Sequence, residues 1–104
     1  MAAYTKSYRE TVLARIQRND KYARALFAEA CSAILEGEPS IGLSMLRDLI
    51  HAKITFKKLA EDTEIGEKSL HKMLGQNGNP TITSLGKILL AIEGNLGITP
   101  KVKA

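Results

Sequence analysis

The stretch FKKLAEDTEIGEKSLHKML, residues 56–74, decides how the chain is read. Its apolar residues fall at Phe56, Leu59 and Ala60, then at Ile65, Leu70, Met73 and Leu74. Each group has the spacing of one helix face, which predicts two short helices separated by three or four residues. Thr55 is the cap of the first. The loop GQNGNP, residues 75–80, stops the second firmly. Helices of about eight residues are marginal alone in water, so their neighbours must hold these two at a fixed angle.

The flanking segments supply those neighbours. Upstream, Tyr8, Val12, Leu13 and Ile16 mark an amphipathic helix from about Ser7 to about Asn19. Asp20 is the expected N-cap of the next and longest helix, whose apolar face is Tyr22, Leu26, Phe27, Ala30, Ile34 and Leu35 and which Gly37 stops. Pro39 opens a third, with Ile41, Met45, Leu46, Leu49 and Ile50 inward and an end near Ala52. Downstream, Thr81 or Thr83 caps a last helix carrying Ile82, Leu85, Ile88, Leu89 and Ile92, and EGNLG ends it. No stretch alternates with period two. The expectation is an all-α protein, a compact bundle of about six helices. Residues 1–104 form one domain, with N-terminal helices over 1–53, the paired helices and their successor over 54–97, and a loose tail over 98–104.

Size and composition narrow the function classes. A chain of 104 residues has room for one core and not for two catalytic lobes. The formal charge of +4 favours an anionic partner. That charge is spread thinly, however: residues 54–92 hold five lysines against four acids. Cys31 is the single cysteine, expected as a small buried hydrophobe, and with two distant histidines it gives no metal-binding spacing. The first ten residues lack the apolar core of a leader, and ILLAI, residues 88–92, is too short to span a bilayer. A cytoplasmic protein with no membrane partner is expected. No phosphate loop, nucleophile elbow, zinc-helix motif or Cys pair occurs, so neither a catalytic residue, a cofactor nor a metal is expected. His51 is expected to partner the dipole at a helix end.

A helix-turn-helix needs a small residue in its first helix, an apolar residue in the turn and apolar anchors on its second helix. Ala60, Ile65 and Leu70 occupy those places, with Leu59 and Met73 beside them. Glu67, Lys68, Ser69, His71 and Lys72 are then left facing outward. In a major groove Lys donates to guanine, Glu accepts from the cytosine amine, and Ser or His does either. A solvated helix face would have the same composition. In the loop, Gly75 and Gly78 allow close approach, while Asn77, Asn79 and the amides near Thr81 suit a phosphate or a plain connector equally.

The span from Thr55 to Leu96 resembles the helix-turn-helix of the Xre/Cro family of phage-repressor-like regulators. More narrowly, RNDKYARALFAEA (18–30), LRDLI (46–50), LAEDTEIGEKSLHKML (59–74) and GNPT (78–81) resemble the addiction-module antidote proteins, the DNA-binding antitoxins of toxin–antitoxin operons. The resemblance puts Glu67, Lys68 and Lys72 at base-contacting places, Ser69 and His71 beside them, and Gly66 at the N-cap of the recognition helix. Two positions depart from the family pattern. Glu64 stands where the turn usually has Gly, and must take a left-handed backbone or shift the turn. Phe56 stands where a phosphate-binding Gln is common, which removes that contact or moves it to Lys57.

The resemblance implies a regulator that binds double-stranded DNA as a homodimer on an inverted-repeat operator. It further implies a small, RNA-cleaving toxin that the protein neutralises while repressing its own operon. A free-standing phage-type repressor, or an interaction module that has lost DNA binding, is the alternative.

Overall fold

The computed structural model describes residues 6–98. Its helices are α1 (Lys6–Arg18), α2 (Asp20–Leu35), α3 (Pro39–Leu49), α4 (Phe56–Thr63), α5 (Glu67–Met73) and α6 (Ile82–Leu96), with a π-helical turn over Ile50–Ile54 between α3 and α4. The described chain is all-helical. None of these helices is long and apolar enough to cross a membrane.

Local chemistry sets most of the boundaries. Gly37 ends α2 at φ +84° and Gly97 ends α6 at φ +67°, conformations that favour glycine. Pro39 opens α3 in its first turn, where a missing N–H costs nothing. Thr81 caps α6, its hydroxyl accepting from the Ser84 N–H at 3.1 Å. The cap of α2 is Asn19 and not Asp20: the Asn19 side chain accepts from Tyr22 N–H at 2.9 Å, and Asp20 becomes the first helical residue. There its carboxylate faces the Lys53 ammonium, which also donates to Gln17 O at 3.0 Å and so ties the π turn to the joint between α1 and α2. The Lys53 contact holds the Asp20 carboxyl below its usual range.

The core runs through the middle of the bundle. Ile16 of α1, Phe27 of α2, Leu46 and Leu49 of α3, Leu59 of α4, Leu70 of α5, and Ile88 and Ile92 of α6 all belong to it. Each such side chain contributes about 1.5–3 kcal/mol by leaving water. The heaviest packing is between α2 and α3. There α2 buries Ala23, Phe27, Ala30 and Ala33, and α3 presents Gly42. The small residues let the two backbones come close.

Four residues expected on apolar helix faces, Tyr8, Leu35, Ile41 and Ile82, are exposed instead. Leu35, in the last turn of α2, is 86 % exposed and Ile82, in the first turn of α6, 83 %; Tyr8 in α1 and Ile41, in the first turn of α3, are less so. Cys31 is only half-buried, although burial still pushes its thiol pKa up and keeps it protonated. Ile98, the first residue of the expected loose tail, packs against the core; residues 99–104 lie outside those described.

The third helix does not run on as α-helix to Ala52. Beyond Leu49 the chain widens into the π turn, closed by Thr55 N–H donating to Ile50 O at 2.7 Å. This wider turn buries both Ile50 and Ile54. It ends at Thr55 with φ +94° and ψ +147°, a region costly for a β-branched residue. Thr55 is held there by three bonds: its N–H to Ile50 O, its carbonyl from Leu59 N–H, and its hydroxyl from Lys58 N–H at 3.1 Å.

A Cβ on Gly42 would stand 2.6 Å from Ile34 Cγ1 and 2.7 Å from the Ala30 carbonyl oxygen. Gly42→Ala is expected to lower stability by about 1–3 kcal/mol, by forcing α2 and α3 apart. Urea denaturation of the two proteins checks it.

Candidate nucleic-acid interface

The connection from α4 to α5 is three residues long, Glu64 to Gly66. It starts at Thr63, whose buried hydroxyl donates to Leu59 O at 2.8 Å and accepts from Ile65 N–H at 3.3 Å. Glu64 then takes the left-handed conformation, φ +60° and ψ +22°, with its N–H on Ala60 O at 2.9 Å. The turn has not shifted; the glutamate accepts a backbone that glycine adopts freely, at a cost of about 1 kcal/mol. Gly66 is the N-cap of α5 and offers no side-chain cap.

Two leucines anchor α5. Leu70 and Leu74 are fully buried, with Ile65 and Met73 partly buried against the same core. At its far end three contacts stop the helix. Arg47 of α3 donates from Nη1 to Leu74 O at 2.9 Å, and Gly78 N–H donates to Gly75 O at 2.9 Å. Gly78 itself lies so close to the end of α5 that a Cβ there would fall 1.9 Å from Met73 O and 2.9 Å from Lys72 O. Glycine is required at this position.

With Leu70 turned inward, Glu67, Lys68, Ser69, His71 and Lys72 are all exposed. None of the charged ones forms an ion pair among the described residues. His71 is engaged: its ring stacks on Phe56 with centroids 3.9 Å apart and planes 18° from parallel. Phe56 in turn meets His51 edge-on at 5.2 Å. Phe56 is therefore a buried aromatic that pins α5 to the start of α4. Lys57, the next residue, is exposed. Asn77 and Asn79 are exposed in the loop after α5, on either side of Gly78. Thr81 is exposed, but its hydroxyl already serves the Ser84 N–H and donates to Ser84 Oγ at 3.1 Å.

Arg47 was not foreseen as part of this arrangement. Its contact spans 27 residues, and nothing local in LRDLI announces it. His51 was foreseen only as a helix-end dipole partner; it forms the outer edge of the Phe56–His71 stack. Burial lowers its pKa, with further lowering from Arg9, His71 and Arg47 and partial opposition from Asp48, the carboxylate that pairs with Arg9 at 3.1 Å. Elsewhere the basic residues of α1 are partly committed: Arg15 lies 4.6 Å over the Tyr22 ring and Arg18 Nε donates to Ala14 O at 3.3 Å.

Comparison of the chain with protein-family models, curated protein sequences and solved structures finds no match.

Two outcomes follow from this geometry. Glu64→Gly is expected to raise stability by up to about 1 kcal/mol, whereas Glu61→Gly, within α4, is expected to lower it by about 1 kcal/mol. Chemical denaturation distinguishes the two. Because the fold depresses the His51 pKa, the unfolded chain takes up this proton first as pH falls. The stabilisation that neutral His51 contributes above its unfolded pKa is lost as pH drops through about 6.5 and below. The melting temperature is expected to fall between about pH 7.5 and 5.5, and to fall less in His51→Gln.

Proposed function

We propose that the protein is a sequence-specific DNA-binding regulator that inserts α5 into the major groove of an operator. The observation that carries this reading is the orientation of α5. Leu70 and Leu74 are fully buried while Glu67, Lys68, Ser69 and Lys72 stand exposed on the opposite side, on a helix held at both ends. In this reading Lys68 and Lys72 donate to guanine edges or phosphates, and Glu67 accepts from a cytosine amine. Ser69 binds an adjacent base or phosphate. His71 has one ring face on Phe56, so its free edge is the part left to meet the DNA backbone. Lys57 takes the flanking phosphate that Phe56 cannot, and the amide groups of Asn77 and Asn79 approach the backbone beyond. Gly66 lets the strand come close to the amino end of α5.

One helix of seven residues reads few base pairs, so the functional unit in this reading is a homodimer on an inverted-repeat site. The likeness in sequence to addiction-module antidotes extends the proposal: the protein neutralises a small toxin and represses the operon that encodes both. The extra helices before Thr55 are the surface left for the toxin.

A second reading is favoured by one observation. The exposed face is near neutral, with Glu64 and Glu67 set among the lysines, as suits a module that binds protein and not DNA.

Binding to the DNA upstream of the protein's own gene, measured by fluorescence anisotropy over a range of salt, decides between them. The DNA-reading proposal expects affinity to fall steeply with salt, and Lys68→Ala to lose about 1–3 kcal/mol with relaxed preference at one base position. Salt-insensitive binding, or equal binding to every sequence, rejects it in favour of the interaction module. The antidote assignment expects a small basic ribonuclease-like protein, encoded beside this one, to form a stable complex with it.

A further inference from the structure

Two imidazoles from different elements clasp Phe56. His71 of α5 lies on its ring at 3.9 Å and His51 of the π turn meets it edge-on at 5.2 Å, which leaves the two histidine rings 6.4 Å apart. Phe56 is buried and both histidines are exposed. The packing holds the rings while their nitrogens stay free: neither imidazole forms a hydrogen bond or an ion pair among the described residues. A neutral imidazole donates from one nitrogen and a protonated one from both. Ring centres 6.4 Å apart are within reach of one tetrahedral anion bonded to a nitrogen of each, at about 2.8 Å per bond.

The surrounding charge selects an anion. Arg9 from α1, Arg47 and Asp48 from α3 and His71 from α5 act on His51. The helices α4 and α6 also pack on the π turn, and no described charged group of either acts on it. Asp48 pairs with Arg9 at 3.1 Å, so its charge is already met. Arg47 donates to the Leu74 carbonyl, which takes up none of its charge. Two arginines against one aspartate leave the neighbourhood positive even with both imidazoles neutral. Such a field favours a phosphate and disfavours a metal cation.

We infer that His51 and His71 together grip one phosphate of the DNA backbone, flanking the base pairs that α5 reads. The inference deepens the DNA-reading proposal and rests on it for the ligand. It adds His51, which lies outside the paired helices, to the contacting residues, and it makes the contact depend on pH. In the free protein burial, Arg9, His71 and Arg47 disfavour a charged His51, with Asp48 opposing them. A bound phosphate favours the charged form. The pKa of His51 is therefore higher with DNA bound than without, binding takes up a proton, and affinity rises as pH falls from the bound value toward the free one. These are the two histidines of the chain, so no other imidazole contributes to the effect.

Fluorescence anisotropy at fixed low ionic strength, at about pH 7.0 and about pH 5.5, tests it with two duplexes: the DNA upstream of the protein's own gene and the same length in scrambled order. Wild type is expected to bind both at least about threefold tighter at the lower pH, because a phosphate contact is blind to sequence. His51→Gln, which cannot take the proton, is expected to lose most of that gain. His51→Arg, charged throughout, is expected to bind at the higher pH about as tightly as wild type does at the lower one. Helical circular dichroism at both pH values checks that each variant is folded. Wild-type affinity that does not rise at the lower pH, a His51→Gln variant that keeps the full gain, or no binding to either duplex overturns the inference. A sequence preference that depends on Lys68, without a pH effect that depends on His51, removes this inference alone. A pH effect that depends on His51, equal on both duplexes and with no such preference, removes the sequence-reading proposal alone.

Discussion

Burial of Leu70 and Leu74 is the constraint on which the rest of the molecule depends. A seven-residue helix has too few internal hydrogen bonds to persist alone, so α5 exists because two leucines one turn apart enter a core assembled by the longer helices. That anchoring also fixes the rotation of α5 about its axis. Once Leu70 points inward, Lys68, Ser69 and Lys72 have nowhere to point but outward. The apolar spacing thus decides which residues of this helix pack and which are exposed.

The helix pair needs more than apolar contact to keep a defined pose. Glu64 accepts a left-handed backbone so that the turn stays three residues long, and Thr63 supports it with a buried hydroxyl. Phe56 and His71 join the beginning of α4 to the side of α5 by ring stacking. Arg47 and Gly78 act at the other end, one by a hydrogen bond to a terminal carbonyl and the other by having no side chain. The strained residues, Thr55 and Glu64, lie just before and just after α4. Backbone strain of about 1–3 kcal/mol per residue persists only where the surroundings over-determine it. Here those surroundings are the two leucines and the bonds at each end of α4.

Much of this was legible in the chain. The two short helices, Thr55 as cap, the stops at Gly37 and after Leu74, and the inward set Leu59, Leu70 and Leu74 all follow from spacing and from the chemistry of caps. What escaped depended on distance or on equivalence. Asn19 and Asp20 are adjacent and equally able to cap, so only the backbone shows which one does. Periodicity identifies the apolar face of a helix but not where the neighbouring helix ends, which is why Leu35 and Ile82 were expected inside. The link from Arg47 to Leu74 joins segments that share no local pattern. The π turn has no signature at all, because Ile50 and Ile54 are spaced as in an ordinary helix.

That π turn carries a consequence for how the chain can change. A π turn is one residue more than an α-helix requires. Deleting a residue between Ile50 and Ile54 would restore regular helical hydrogen bonding, yet it would swing everything downstream by about 100° around the α3 axis. The outward lysines would then face a different direction with their own sequence untouched. Insertions and deletions at this joint therefore re-aim the second half of the molecule.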